Sequence, residues 1–412
     1  MGVEVVLLIG ALCAGLWATG VPEVEGGTED IHRKVSFEYN PGSANASVNL
    51  LHVRAVGNGS TIHYVWSTIG VPTVLLIYTE SDQTQLHVNW SKLLSSEPDG
   101  AIRIEPADRV RYSTALLFTR VFEYRDVNNT ADFTGTDIKF FYPPYDLSEF
   151  TWENVNTTLN TSSLTACLTG ANATDAEGNF RNGSIMFKVS AYEGTGRDLT
   201  SPRLLHTANS TKMEFVMSGV HPRGNNSRFA LEMVTLEKKV GRKKMRSVRS
   251  IDDEYTPSIF EMMELVPDFP NASYAQGYFQ WKSVAYGAAK GGRDAALHCQ
   301  VYEPRSLNET FPYPSIVHAF FGRDLVQEYN IEAFNISFGI AEGDFYDKNS
   351  FLGWSALIGY GTPPRDSFSI LVICIMAVAL GTPLVLLIVG SIVVMVIRSR
   401  RRIMVTDYQP VN

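Results

Sequence analysis

Thirteen Asn-x-Ser/Thr tripeptides run through the chain, at Asn45, Asn58, Asn89, Asn128, Asn156, Asn160, Asn172, Asn182, Asn209, Asn225, Asn271, Asn308 and Asn335. This spacing of amide and hydroxyl is the acceptor for N-linked glycan transfer, which places each asparagine on a wet surface in the secretory pathway. In Leu86-His-Val-Asn-Trp-Ser91, strand alternation sets Asn89 opposite Leu86, Val88 and Trp90. Asn335 likewise opposes Phe334, Ile336 and Phe338, while Asn58 and Asn182 sit in Asn-Gly turns. A dense glycan coat would cover backbone that a protease would otherwise reach.

Catalytic patterns are absent. The chain has no G-x-S-x-G, H-E-x-x-H, P-loop or dinucleotide glycine fingerprint, so no catalytic or cofactor-binding residue is assigned. Asp252, Asp253, Glu254, Glu261 and Glu264 could supply a carboxylate pair for glycoside chemistry. Glu261 and Glu264 would share a face if Pro257 to Leu265 forms a short helix, though a solvated acidic face explains them as well. Few cysteines and scattered histidines leave no metal-ligand spacing. Of the four cysteines, Cys13 lies in the N-terminal apolar run and Cys374 in the C-terminal one. Cys167 and Cys299 remain, allowing one internal disulfide, or two free or intermolecular thiols.

The elements that position these groups begin with the two ends. Met1 to Gly20 reads as a signal peptide: Val5 to Trp17 is mostly apolar and Ala18-Thr19-Gly20 offers small residues for cleavage, although Glu4 replaces the usual basic start. Phe368 to Ile397 holds thirty residues without a charge, more than the ~20 that cross a bilayer. Arg398, Arg400, Arg401 and Arg402 follow, so the tail 398–412 is expected in the cytosol and residues 21–367 outside or in a lumen. Within the span, Ala377 and Gly381 lie four apart, with Ala379 and Pro383 nearby, and offer a face for close helix packing. In the tail, Tyr408 and Val411 fit a tyrosine-x-x-bulky sorting signal read by cytosolic clathrin adaptors through an added strand.

Between the ends, short aromatic-rich runs alternate with turns. Leu50 to Val56 and Thr61 to Trp66 flank Asn58-Gly59 as a hairpin, and Thr73 to Tyr78, Ala115 to Tyr124, Ile185 to Tyr192, Lys212 to Met217, Arg228 to Leu236, Tyr278 to Tyr286 and Ala333 to Ile340 continue in kind. The class is mainly β: a β-sandwich-like domain, in two packed β subdomains with a junction near residues 200–250, followed by one C-terminal transmembrane helix. The basic run Lys238, Lys239, Arg242, Lys243, Lys244, Arg246 and Arg249 reads as a solvated loop at that junction. Arg246-Ser-Val-Arg249 also has the spacing of a convertase site.

The chain carries a net charge of −8; setting aside Glu4, the tail's four arginines and Asp407 leaves −10 on residues 21–367. That balance argues against nucleic-acid binding. All eight histidines lie in this region, and near pH ~5 most could charge and nearly cancel the excess.

The blocks LLHVRAVGNGSTIHYVWST, PRLLHTA, SIDDEYTP, HAFFG, AFNISFG, IMAVALGTP and DYQPVN resemble the glycosylated lysosomal membrane protein family. The resemblance implies a type I lysosomal membrane protein with a glycosylated lumenal β-rich domain. It implies an accessory subunit paired with a multi-span lysosomal transporter of the major facilitator superfamily, linked to dipeptide export, each partner protecting the other from proteolysis. The family's terminal tyrosine signal falls on Tyr408 and Val411. Mammalian members carry more lumenal cysteines; here only Cys299 looks shared, so the family's disulfides do not transfer and a Cys167–Cys299 pairing stays open. A membrane-anchored hydrolase and a cell-surface adhesion receptor are the alternatives, and a homo-oligomer is possible.

Overall fold

The computed structural model describes residues 32–43, 47–172, 178–239, 242–249, 261–268, 276–307, 314–365 and 370–406. Its strands pair antiparallel in two layers. The first sheet runs Lys34–Tyr39, Leu50–Gly57, Ser60–Ser67, Thr73–Thr79, Val110–Arg125, Ser227–Lys238, Tyr329–Phe338 and Ala296–Ser306. The second runs Thr165–Ala171, Ser184–Ala191, Ser210–Ser218, Phe351–Tyr360, Gly277–Lys282, Glu261–Asp268 and Arg242–Arg249. Ala296–Ser306 also pairs with Val284–Tyr286, which joins the second sheet, so this strand closes one side of the sandwich. The expected β-sandwich with one long C-terminal helix is therefore what forms.

Local chemistry explains several joints. Gly57 pairs with Ser60, leaving a two-residue loop in which Gly59 takes a φ of +68° that a side chain would oppose. Gly183 lies so close to Val220 that a Cβ there would stand 2.5 Å from its backbone nitrogen.

One core fills the space between the layers, with Trp66, Phe118, Phe187, Phe215, Trp281, Phe334 and Trp354 at its centre. A second cluster lies on the outer face of the first sheet, where Ile102, Ile104, Val317 and Leu325 cover Leu50, Val65, Leu75 and Leu117. Ser60–Ser67 and Thr73–Thr79 are consequently buried on both faces and lack polar alternation. Residues 200–250 do not divide this body: Ser210–Ser218 and Ser227–Lys238 are interior strands of opposite layers over the same core.

Two local expectations are corrected. Glu261 to Leu265 belongs to the strand Glu261–Asp268, not to a helix, because Met263 and Leu265 pack inward at a period of two. Most of the basic run is likewise no loop. Arg242–Arg249 pairs with Glu261–Asp268 in full register and buries Lys243 and Met245.

Ile370–Thr406 is a single helix of 37 residues, about 55 Å long. Its stretch Cys374–Arg401 is long and apolar enough to cross a membrane.

Candidate interaction surfaces and membrane anchor

Residues 361–365, which lead toward the helix, are fastened to the sandwich. Gly361 N donates to Gln276 O at 2.8 Å, and Gln280 Nε2 donates to Pro364 O at 3.0 Å. Arg365 then forks onto Glu264, with Nη2–Oε2 at 2.9 Å and Nε–Oε1 at 3.3 Å. Glu264 is 1% exposed while Arg365 remains more than half exposed, so the arginine supplies the counter-charge for a buried carboxylate.

This contact disposes of the best carboxylate pair read from sequence. In a strand, residues three apart point to opposite faces. Glu264 faces out toward Arg365, whereas Glu261 points to the other side and accepts the Ser247 hydroxyl. Asp252, Asp253 and Glu254 lie outside the described residues. Among the described residues, no three His, Cys, Asp or Glu side chains gather as metal ligands.

The sequon asparagines divide by exposure. Asn58, Asn89, Asn128, Asn156, Asn160, Asn182 and Asn225 are exposed. Asn89 also caps the turn Trp90–Leu93, its Oδ1 accepting Lys92 N, which leaves the amide nitrogen outward. Asn172, Asn209 and Asn335 are half-buried. Asn209 Oδ1 accepts Arg33 Nε at 2.6 Å. Asn45, Asn271 and Asn308 lie outside the described residues, as do the leader 1–20, Tyr408 and Val411.

Cys167 and Cys299 are both free thiols. Cys167 stands between the inward-facing Ala166 and Leu168 and so points out of the sandwich, whereas Cys299 belongs to the inter-sheet core. Burial raises both thiols above their ordinary range, which suppresses thiolate chemistry.

Ala377 is exposed on the helix surface, and a Cβ on Gly381 would meet nothing within 4 Å. The small-residue face is thus open to a neighbour. Pro383 sits two residues on, where it removes a main-chain donor within the helix.

Several interior ion pairs escaped the sequence reading. Lys243 Nζ lies 3.6 Å from Glu237 Oε2, which also accepts Tyr112 Oη at 2.6 Å. Arg228 Nε donates to Asp126 Oδ2 at 2.6 Å. His52 and His63 stack with centroids 5.2 Å apart, joined by a 2.9 Å ring-nitrogen hydrogen bond, and His63 reaches Thr84 Oγ1 at 2.9 Å. Burial lowers both, His63 to about 2, and it also lowers His206. His63 is therefore withheld from the acid charging that composition suggests, and His52 and His206 are shifted in the same direction.

A two-layer β-sandwich followed by one helix able to cross a membrane defines a β-domain protein with a single candidate anchor among the described residues. Residues 49–401 match glycosylated lysosomal membrane protein, and the chain belongs to that family. It is similar to glycosylated lysosomal membrane protein B of Xenopus laevis, 64% identical over 98% of each chain. The Danio rerio glycosylated lysosomal membrane protein is 42% identical over 92% of each chain. That of Homo sapiens is 40% identical over 92% of this chain and 91% of its own.

Proposed function

We propose that this protein is a non-enzymatic accessory subunit of a multi-span lysosomal transporter of the major facilitator superfamily that exports dipeptides. In this reading the sandwich is lumenal, the helix is a type I anchor and the tail is cytosolic, with Tyr408 and Val411 engaging clathrin adaptors. The sandwich carries N-glycans at its sequon asparagines and shields the partner from lysosomal proteases.

The observation that carries the reading is the pairing of an open small-residue helix face at Ala377 and Gly381 with a domain that holds the chain through Glu264–Arg365 to within five residues of the helix. A partner packed on the helix would be covered by a domain with seven exposed sequon asparagines. Membership of the glycosylated lysosomal membrane protein family supports the lysosomal membrane as the location. The separation of Glu261 from Glu264 weighs against a hydrolase.

Mild-detergent purification of the intact protein from lysosomes, with mass spectrometry of co-purifying chains, tests the reading. A stoichiometric multi-span transporter that is degraded in cells lacking this protein is the expected result. Recovery of the protein alone, with the transporter unaffected by its loss, would overturn it.

A further inference from the structure

Arg365, held by Glu264, is the last described residue before the helix, and Ile370 opens the helix five residues later. Five extended steps reach at most about 18 Å. The strand that holds Arg365 through Glu264 is therefore confined beside the membrane. Its outer neighbour is Arg242–Arg249, which pairs on one side only among the described residues. Arg246 stands directly opposite Glu264, and Lys244 opposite Val266. Facing residues of an antiparallel pair project to the same side. Lys244 and Arg246, both exposed, therefore share the face from which the chain leaves for the membrane. Lys238 and Lys239, also exposed, lead into this strand. Against these four cations the strand pair sets three acids: Asp268, bound by Arg246 at 3.0 Å, Glu261, bound by Ser247, and the buried Glu264, bound by Arg365. Neither strand carries a sequon; the nearest along the chain, Asn271, follows Asp268 by three residues and lies outside the described residues.

We propose that this basic arm docks on the anionic phospholipid headgroups of the membrane that the helix spans, and so fixes the tilt of the sandwich over the bilayer. The inference does not depend on the transporter reading. A basic side chain at an anionic surface favours contact by about fivefold, within a screening length of about 8–10 Å. The covalent tether makes docking intramolecular, so a few such charges suffice.

The test uses the full-length protein reconstituted in phosphatidylcholine vesicles with and without phosphatidylserine. Backbone hydrogen exchange of residues 242–249 should slow several-fold in the anionic vesicles and recover in high salt. Lys239→Glu with Lys244→Glu should abolish that protection, and Lys139→Glu, on a different loop, should keep it. The milder pair Lys239→Gln and Lys244→Gln, which introduces no repulsion within the arm, should reduce it partway. Equal exchange in neutral and anionic vesicles, or undiminished protection in the Lys239→Glu, Lys244→Glu variant, would overturn the proposal.

Discussion

Glu264 and Arg365, 101 residues apart in the chain, meet at 2.9 Å and fasten the second sheet to the segment that enters the membrane helix. The two ends of this contact are unequal. Arg365→Ala strands a buried carboxylate, whereas Glu264→Gln leaves a half-exposed guanidinium that water can solvate. The arginine change should cost more, on the order of 2 kcal/mol, and the glutamine change less than about 1 kcal/mol. Thermal unfolding of the full chain in detergent measures both; equal losses would contradict the asymmetry.

The buried His52–His63 pair ties stability to pH. His63 titrates at about 2 in the fold, below the ~6.5 of an unfolded histidine, so the unfolded chain binds the extra proton as pH falls below ~6.5. Stability is lost in that direction, by about 2 kcal/mol for this group at pH 5. Glu123 and Glu237 act in the opposite sense, because burial raises both and the fold gains as pH drops through their raised values. His63→Gln should therefore flatten the loss between pH 7 and pH 5. Urea unfolding at the two pH values checks this, and an unchanged difference would exclude the pair as its source.

Two changes that delete the same sequon should part in their effect on folding. Asn225 is exposed, whereas Ser227 is fully buried and donates its hydroxyl to Glu123 Oε1 at 2.7 Å. Asn225→Gln should shift electrophoretic mobility without lowering the melting temperature. Ser227→Ala should give the same shift and also lose about 1–3 kcal/mol, since a buried carboxylate forfeits a donor.

On the helix, Ala377→Leu with Gly381→Leu should reduce recovery of a co-purifying multi-span protein severalfold. The sandwich should melt unchanged, because a Cβ on Gly381 meets nothing within 4 Å. Full recovery would move the contact from the helix to the sandwich.

Tyr408→Ala should shift the protein from lysosomes to the cell surface, measured by surface biotinylation. An unchanged distribution would remove the terminal tyrosine as the sorting determinant.

Features that depend on near neighbours in the chain were legible. An uncharged run of thirty residues predicts a spanning helix because length and hydropathy are local sums. Asn58-Gly59 predicts its hairpin because the turn's backbone is set by the two residues in it. Alternation sets Asn335 on the side opposite Phe334, Ile336 and Phe338 because the period of a strand is two.

Local pattern alone therefore yields the β class, the candidate anchor and the side of the strand that Asn335 takes. Only the tertiary structure decided what covers each face and which charges meet. Lys243 looks like one more cation in a basic run, yet strand pairing carries it inside to Glu237. Glu261 and Glu264 look like a pair, yet pleating divides them and gives one to Arg365. Periodicity states that a strand has two sides, but the partner on each side comes from segments a hundred residues away. Burial, and with it the charge state of His63 and the fastening of Arg365, exists only once those segments are packed.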